Sequence, residues 1–397
     1  MYKPELLAPA GDLLRLKIAI LYGADAVFIG GKIFSLRAKA NNFTIKDIQE
    51  GVEFAHLHHA KVYVTVNIVP TQQDFKELKQ YLMDLDAIHV DAIIISSIRV
   101  LLLAKELKCQ FEVHMSTQLS ITNTQSVEFF KQLGAKRVVL ARELSAQQIG
   151  IIKKQTNFPL EVFIHGGMCS SFSGRCTLSN VMVNRDANKG GCAHSCRWIY
   201  ELYQNNQLVD NFDFTLASSD LMAIDYIPKL IDMKIDSFKI EGRMKSAYYI
   251  ANVVKIYRQL IDEYIDKKEI KKINLKHYKE EIKKIESRNL TSVFLNKNYK
   301  NEGLLLDNGN DNPSQSFLAY VLTDSDEKNI CVIEQRNYFT IDTILEMISP
   351  KEKNKTIKIL NMMDLDGNKV EIANHAKQIL KVQFSKPVKK DSFIRRK

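Results

Sequence analysis

The sequence of 397 residues lacks an uninterrupted apolar run long enough to cross a membrane. Its longest mostly apolar stretch, residues 92–104, is broken by Arg99 and falls short of the ~20 residues that a membrane-spanning helix needs. No apolar stretch follows the early lysine, so a secretion signal is not expected either. We therefore expect a cytosolic protein without a membrane segment.

Glycine and proline are scarce, at 16 and 8 residues, while hydrophobic residues make up 45% of the chain. This composition excludes collagen-like and disordered chains. The length suffices for about two to three domains, or for one large barrel with a smaller appended domain. We therefore expect a globular protein with a sizeable core.

Acidic residues are fewer than basic ones, 46 against 56, which gives a net charge of +10. Such a surplus suits an RNA partner, and a solvated basic surface accounts for it equally well. The last 17 residues, 381–397, contain seven basic residues and one acidic residue. This composition is typical of a flexible nucleic-acid-binding arm or of a solvated tail.

Short apolar runs of β type alternate with helical periodicity over the first two-thirds of the chain. The predicted strands are 6–9, 26–30, 62–69, 92–96, 112–117, 137–141, 161–164 and 237–240. Eight such units over about 260 residues match the size of a TIM-like (β/α)8 barrel. Because counting repeats does not prove closure, an open doubly wound sheet is the alternative.

About 70 residues separate the last two predicted strands, far more than one βα unit needs. This excess contains a predicted hairpin around Asn205 and Asn206, and a helix is predicted from 247 to about 264. Four short strands, at 317–323, 330–334, 356–360 and 369–372, predict a small C-terminal β-barrel after the turn-rich segment 307–315. The expected domains are a barrel at 1–265 with an insertion at about 165–236, a charged linker at 266–316, a small β-barrel at 317–386 and a basic tail at 387–397.

Only six cysteines are present, yet four of them form the pattern C-x6-C-x15-C-x3-C within a glycine-rich segment. These four are Cys169, Cys176, Cys192 and Cys196. In a reducing cytosol, clustered thiols indicate a metal or redox site more often than disulfides. The other two, Cys109 and Cys331, lie in apolar stretches and are expected to be core residues.

The cysteine spacing fits more than one centre. Structural zinc sites usually have two close pairs of ligands, and only Cys192 and Cys196 form such a pair here. Four separated thiolates equally suit a [4Fe-4S] cluster. The spacing by itself leaves zinc, iron–sulfur and incidental cysteines open.

Several blocks of the sequence resemble the collagenase-like peptidase family U32. The run EVFIHGGMCSSFSGRCTLS, residues 161–179, resembles the family signature, with Gly167 where the family has Ser or Ala. The other matching blocks are ELLAPAGD, YGADAVFIGG, STQLS, RDANKGGCAHSCRW, SSDL and FKIEGRMKSAYY. They extend from residue 5 to about residue 258, and the stretch LTSVF after Arg288 departs from the family's threonine–glycine pattern.

The resemblance implies a TIM-like barrel with a small C-terminal β-barrel similar to a translation-factor domain. It also implies a [4Fe-4S] cluster, with Cys169, Cys176, Cys192 and Cys196 as its ligands. Several family members are oxygen-independent hydroxylation proteins that act on RNA or on quinone precursors. Bacterial members of this layout make 5-hydroxyuridine at the wobble position of tRNA and depend on prephenate. The implied partners are tRNA and, because some relatives work in pairs, a second subunit of the same family.

Active residues of such barrels lie at the C-terminal ends of the strands. The catalytic candidates at these positions are His114, Glu143, His165 and Glu241. The substrate-binding candidates are Arg37, Asn67, Gln118, Arg142 and Arg243. Arginine binds carboxylates in bidentate fashion, so the three arginines are expected to hold prephenate. Simple packing of His165 and a salt bridge between Glu241 and Arg243 are the alternatives for those residues.

Two motifs that are typical of known peptidase classes are absent from the sequence. Neither G-x-S-x-G nor H-E-x-x-H occurs in the sequence. A cysteine nucleophile is the remaining peptidase chemistry, for instance Cys169 activated by His165. Three classes therefore stay open: an RNA hydroxylation enzyme, a peptidase, and a cluster-stabilised RNA-binding or partner subunit.

Overall fold

The computed structural model describes residues 2–36, 42–297, 304–305 and 316–397. Strands and helices alternate through its first part, as the apolar periodicity predicts. The elements are β1 (Glu5–Pro9), α1 (Leu13–Leu21), β2 (Ala26–Gly30), α2 (Ile45–Leu57), β3 (Lys61–Val66), α3 (Phe75–Ala87), β4 (Ala92–Ile95), α4 (Ile98–Glu106), β5 (Glu112–Met115), α5 (Thr124–Leu133), β6 (Arg137–Val139), α6 (Ala146–Gln155) and β7 (Leu160–Gly167).

A long excursion follows β7 and contains short elements. They are α7 (Leu178–Val183), β8 (Tyr200–Gln204), β9 (Gln207–Phe214), β10 (Ala217–Ser218), β11 (Asp220–Met222) and α8 (Ile227–Asp232). Strands β8 and β9 form the predicted hairpin. Asn205 and Asn206 at its tip both have positive φ, 52° and 61°, as a type I′ turn requires.

The next strand closes the barrel. The remaining elements of this part are β12 (Ser237–Ile240), α9 (Ala247–Lys267), α10 (Leu275–Lys283), β13 (Leu290–Thr291) and β14 (Leu304–Leu305). Strand β12 pairs in parallel with both β1 and β7, and the intervening pairs from β1 to β7 are all parallel. The structure is therefore a closed eight-stranded barrel, and the open doubly wound alternative is wrong.

The barrel strands alternate between two environments. In β12, Phe238 and Ile240 belong to the large apolar core that includes the surrounding helices, whereas Lys239 points inward over the Phe28 ring. Inside the barrel a small apolar cluster contains Leu7, Phe28 and Tyr63. The lumen is thus filled by side chains, partly apolar and partly charged. No helix in the described part of the chain has the length and apolar character needed to cross a membrane.

The C-terminal domain is an antiparallel, nearly closed sheet. Its strands are β15 (Phe317–Val321), β16 (Ile330–Gln335), β17 (Phe339–Thr340), β18 (Leu345–Ile348), β19 (Lys355–Ile357), β20 (Ile359–Met363), β21 (Ile372–Ala373), β22 (Ile379–Phe384) and β23 (Phe393–Arg396). The main sheet has the order β19-β18-β23-β15-β16-β22-β20. The predicted strand 356–360 is divided between β19 and β20, and the predicted segment 307–315 lies outside the described residues.

The expectation of a flexible basic arm at the end of the chain is wrong. Strand β23 lies between β15 and β18 in the main sheet. Arg395 is fully buried and forms an ion pair with Glu281 at 2.5 Å. Charge counting missed this strand because Phe393 and Ile394, which pack in the core, are outnumbered by basic neighbours.

The C-terminal domain packs on the side of the barrel. The Tyr22 hydroxyl, at the end of α1, donates to the carbonyl oxygen of Ile348 at 2.8 Å. Tyr248 of α9 stacks on Phe317 with the ring centroids 4.5 Å apart. These contacts join the two domains through buried side chains, away from the ends of the barrel strands.

Candidate functional site

A cavity of about 280 Å³ opens at the C-terminal ends of the barrel strands and extends into the lumen. Its lower wall consists of residues that belong to the strands, among them Phe28, Ile94, Val139 and Phe163. Its upper wall comes from the loops after the strands and from the excursion after β7. The excursion thus covers the end of the barrel where TIM-barrel enzymes carry their active sites.

All four clustered cysteines line this cavity. They are Cys169, Cys176, Cys192 and Cys196. None of them forms a disulfide, and Cys169 is exposed while the other three are partly buried. The excursion therefore brings four thiols to one cavity wall from three separate loops.

Buried polar contacts hold the loop that carries Cys169. The Arg288 guanidinium pairs with Asp220 at 2.7 Å, and both side chains are almost fully buried. Arg288 also donates to the carbonyl oxygen of Met168 at 3.5 Å, and the Ser218 hydroxyl donates to the same oxygen at 2.7 Å. The residue before Cys169 is therefore fixed by groups that come from β10 and from the chain after α10.

A second set of contacts holds the Cys176 loop. The Asn188 side chain donates to the carbonyl oxygen of Cys176 at 3.1 Å. The Asn188 carbonyl accepts from the Val69 amide at 3.0 Å, and Lys189 pairs with Asp74 at 3.0 Å. The loop after β3 thus anchors the cysteine-bearing segment to the barrel.

The four thiols are the candidate donor set for a metal centre. Among the residues that the structure describes, no three His, Cys, Asp or Glu side chains are placed to hold one metal ion. A structural zinc ion needs such convergence because its four ligands bind the same atom. A [4Fe-4S] cluster has four iron atoms, so its four thiolates surround a larger core. Four unbridged thiols around one cavity are a donor set that a [4Fe-4S] cluster accepts.

Two amides form a polar pair on the cavity wall. The Asn67 amide donates to Gln118 Oε1 at 2.7 Å, and the Gln118 amide donates to the Asn67 carbonyl oxygen at 3.1 Å. Gln118 also accepts from the Ser116 hydroxyl at 3.0 Å. These bonds fix the orientation of both amides, which are groups that recognise the edges of nucleobases by hydrogen bonds.

Two of the three candidate arginines line the cavity. Arg243 is buried and donates to the hydroxyls of Ser35 at 2.7 Å and Thr65 at 2.9 Å, and to Asn42 Oδ1 at 2.7 Å. Arg142 donates to the Gly167 carbonyl and lies 3.8 Å from the centroid of the Phe163 ring. Arg37, the third candidate, lies outside the described residues.

The two candidate carboxylates also line the cavity. Glu143 accepts from the Ser173 amide at 2.6 Å and from its hydroxyl at 3.0 Å, so it holds the loop between Cys169 and Cys176. The Glu241 backbone passes close to Gly166, where φ is 98° and an added Cβ would lie 2.5 Å from the Glu241 carbonyl oxygen. Glycine at this position therefore lets β7 and the loop after β12 approach each other.

The two candidate histidines do not line the cavity. His114 is fully buried inside the barrel, where Nε2 lies 3.0 Å from Glu112 and the ring meets Tyr63 edge-on. His165 lies 2% exposed against the rings of Tyr249 and Tyr257 of α9. Burial lowers the pKa of His165 to about 3, with a further lowering by the positive charge of Lys245. The structure thus separates both histidines from the residues that meet at the cavity.

Sequence reasoning missed Lys239, which lines the cavity from the middle of β12. Its Nζ atom lies 2.7 Å from Glu161 Oε1 and 4.5 Å from the centroid of the Phe28 ring. The signal was present, because Ser237, Lys239 and Glu241 alternate with the apolar Phe238 and Ile240. A polar face on a strand that is buried on both sides indicates polar groups in the barrel lumen.

A buried ion network lies below Lys239. Glu161 Oε2 accepts from Arg137 at 3.2 Å, and Arg137 also pairs with Glu5 at 2.5 Å. Burial opposes ionisation of Glu161, but the positive charges of Lys239 and Arg137 lower its pKa to about 2. The network therefore keeps Glu161 ionised and in contact with both cations.

Comparison with family models gives two matches that cover most of the chain. Residues 11–304 match the model described as peptidase family U32. Residues 313–395 match the model of the peptidase family U32 C-terminal domain. The two matches correspond to the cysteine-bearing barrel and to the antiparallel C-terminal sheet.

Three relatives differ in what their names say. A tRNA hydroxylation protein P1 of Bacillus subtilis is 41% identical over 401 residues, which cover 99% of this chain and 95% of the relative. A 23S rRNA 5-hydroxycytidine synthase of Escherichia coli is 38% identical and covers 67% of this chain and 40% of its own. A collagenase of Porphyromonas gingivalis is 34% identical, with 66% of each chain covered.

Proposed function

The chain belongs to peptidase family U32, and from this membership we propose that it is an RNA-modifying enzyme that hydroxylates the wobble uridine of tRNA to 5-hydroxyuridine. The main support is the Bacillus subtilis tRNA hydroxylation protein, because the similarity covers nearly the full length of both chains. The rRNA hydroxycytidine synthase adds a second relative named for hydroxylation of an RNA pyrimidine. The net charge of +10 agrees with a polyanionic substrate. A tRNA substrate would also support the proposal of a cytoplasmic enzyme.

The proposal includes a [4Fe-4S] cluster bound by Cys169, Cys176, Cys192 and Cys196. Its support is the donor set, since these four unbridged thiols line the same cavity as the polar strand-end residues. Such a cluster supplies one-electron redox chemistry when bound. A site beside the cavity would place that chemistry next to the substrate.

The polar wall of the cavity suits a uracil ring. The side-chain amides of Asn67 and Gln118 are held by hydrogen bonds. Each amide has an NH2 group that donates and a carbonyl oxygen that accepts, and the edge of a base can pair with both. A base flipped out of the RNA is usually recognised through such edges. Glu241, which also lines the cavity, is a proposed proton-transfer group.

Prephenate is the proposed co-substrate. Hydroxylation at C5 replaces a hydrogen by a hydroxyl group, which is a two-electron oxidation. In the proposal prephenate supplies the hydroxyl group and accepts the two electrons, so that its C–O bond is broken and replaced by a C–H bond. The proposed residues for a prephenate carboxylate are Arg142 and Arg243, which both line the cavity. A second subunit of the same family is a further proposed partner.

A peptidase is the second candidate, supported by the collagenase relative. The geometry gives it less support than the RNA reaction. In the described part of the chain no hydrogen bond joins His165 to Cys169, and His165 instead contacts Tyr257 Oη at 3.3 Å. A cysteine peptidase needs a histidine within hydrogen-bond reach of its thiol.

The test compares tRNA from a strain that lacks this gene with tRNA from the same strain carrying the wild-type gene. Nucleoside mass spectrometry is expected to show 5-hydroxyuridine derivatives only in the complemented strain. A Cys176→Ser variant should fail to restore them, whereas a Cys331→Ser variant, altered at a buried thiol of the C-terminal domain, should restore them. Unchanged nucleosides in the deletion strain, together with loss of gelatin cleavage, would favour the peptidase.

A further inference from the structure

The lower part of the cavity differs from its rim. At the rim, the thiols, amides and arginines surround an opening to solvent. Below it, the wall contains the apolar side chains of Phe28, Ile94, Val139 and Phe163. Lys239 lies at this depth, although its side chain is only 5% exposed. Lys239 is thus a cation that projects among mainly apolar side chains inside the barrel.

Lys239 has hydrogen-bonding capacity left over. An ammonium group has three N–H donors. Among the described residues, Glu161 is the one hydrogen-bond acceptor that the Lys239 ammonium contacts, at 2.7 Å. The ring centroids of Phe28 and Phe163 lie 4.5 and 5.5 Å away. A buried ammonium with unused donors is costly unless a ligand or water satisfies them.

The charges around Lys239 favour an added anion. Glu161 is shared between Lys239 and Arg137. Arg137, which also contacts Glu161, and Arg142, which like Lys239 lies over the Phe163 ring, add further positive charge beside Lys239. An anionic group placed between Lys239 and Arg142 would contact two cations and reduce the repulsion between them.

We propose that Lys239 and the apolar compartment around it form a binding subsite for a small organic acid, with a carboxylate at Lys239 and an apolar body between Phe28 and Phe163. The RNA itself does not suit this position. The phosphates of a flipped nucleotide stay attached to the strand outside the barrel, and a nucleobase carries no negative charge at neutral pH. An acid with a second polar end would reach Arg142 and Arg243 at the rim.

The subsite rests on the proposed function for the choice of the ligand to be tested. That ligand is prephenate, a dicarboxylate with an apolar ring. Isothermal titration of prephenate into the purified, cluster-containing protein, without RNA, measures binding directly. Lys239→Met should weaken binding roughly 10- to 100-fold, because it removes a charge-assisted hydrogen bond. Lys255→Met is the matched control, since Lys255 is a buried lysine that contacts Ser349 and Asn354 in the domain interface. It should bind prephenate like the wild type.

A second variant protects the test against misfolding. Val139→Phe leaves Lys239 and Glu161 unchanged and fills the apolar compartment. It should weaken prephenate binding at least about tenfold. If circular dichroism shows that Lys239→Met does not fold, Val139→Phe carries the test in its place. Inorganic phosphate is titrated as a second ligand. It should bind the wild type much more weakly than prephenate, because it has no apolar body.

Several outcomes would overturn the subsite: no prephenate binding to the wild type, equal binding by inorganic phosphate, or wild-type affinity in both Lys239→Met and Val139→Phe. The proposed RNA reaction is judged separately by nucleoside analysis. Hydroxylated tRNA together with undiminished prephenate binding by both variants would reject the subsite alone. Lys239-dependent binding together with unmodified tRNA would reject the RNA reaction alone.

Discussion

At the scale of single residues, position along a strand determined which candidates meet at the cavity. Gln118 and Arg142 follow β5 and β6, and both lie at the rim. The sequence predicts the same position for His114, but this residue belongs to β5 itself and points into the lumen. Sequence spacing locates a strand to within a few residues, and one or two residues decide between rim and lumen.

His165 shows a second limit of the sequence. Its place four residues before Cys169 suggested a role beside the thiols. The chain turns at Gly166, where φ is 98°, and the imidazole packs behind the strand against α9. The helix that covers it begins about 80 residues later in the sequence, so local pattern carries no sign of this contact.

The buried Glu161 carboxylate gives a stability prediction. Glu161→Gln removes the charge that both Lys239 and Arg137 contact, which leaves two buried cations without this partner. The free energy of unfolding should fall by about 3 kcal/mol, as measured by urea denaturation. Glu106→Gln, in an exposed pair with Arg99, is the control and should cost less than about 1 kcal/mol. Equal effects of the two substitutions would contradict the buried network.

His165 gives a prediction for pH dependence. Burial lowers its pKa from 6.5 to about 3 in the folded protein, so the unfolded chain binds a proton that the folded protein excludes. This contribution to stability is full above pH 6.5 and decreases as the pH falls towards about 3. Between pH 7 and 5 the wild type should therefore lose more thermal stability than His165→Phe. His375→Phe, at an exposed histidine, should keep the wild-type slope; a wild-type slope in His165→Phe would refute the assignment.

Among the helices and strands, those with a clear apolar periodicity in the sequence are the ones that the sequence predicts best. The bounds of β2 and β12 coincide with the prediction, and the long helix predicted from residue 247 is α9. The C-terminal sheet was predicted less well, because its short strands depend on pairing with distant partners. Strand β23 is the clearest case, since its neighbours β15 and β18 decide its burial.

The arrangement of the excursion also depends on distant residues. Arg288, which lies after α10, contacts Asp220 and the carbonyl oxygen before Cys169. The cysteine spacing gave no indication of this link. It makes Arg288 a positioning residue for the Cys169 loop.

Arg288→Met should therefore lower the iron content of anaerobically purified protein to less than about half of the wild-type value, because the substitution leaves Asp220 buried without its partner. Iron and acid-labile sulfide per chain are the measured quantities. Arg99→Met, at a surface pair, should leave both unchanged. Wild-type iron content in Arg288→Met would show that the loop does not need this contact.

At the scale of the whole molecule, the surplus of positive charge has a defined consequence. A protein with net charge +10 that binds RNA through several phosphates releases counterions on binding. The affinity for tRNA should fall at least about tenfold between 50 and 200 mM KCl, as measured by fluorescence anisotropy. An affinity that does not change with salt would mean that the basic surface is only solvated. The affinity for prephenate, a small ligand, serves as the comparison and should depend much less on the KCl concentration.

The proposed reaction is hydroxylation of tRNA at a cavity lined by four cysteines. The most direct measurement uses purified protein, loaded anaerobically with iron and sulfide, mixed with unmodified tRNA and prephenate and analysed by nucleoside mass spectrometry. We expect 5-hydroxyuridine with the wild type and with Cys331→Ser, and none with Cys176→Ser. Fully loaded wild-type protein that cleaves gelatin but leaves the uridine unmodified would contradict it.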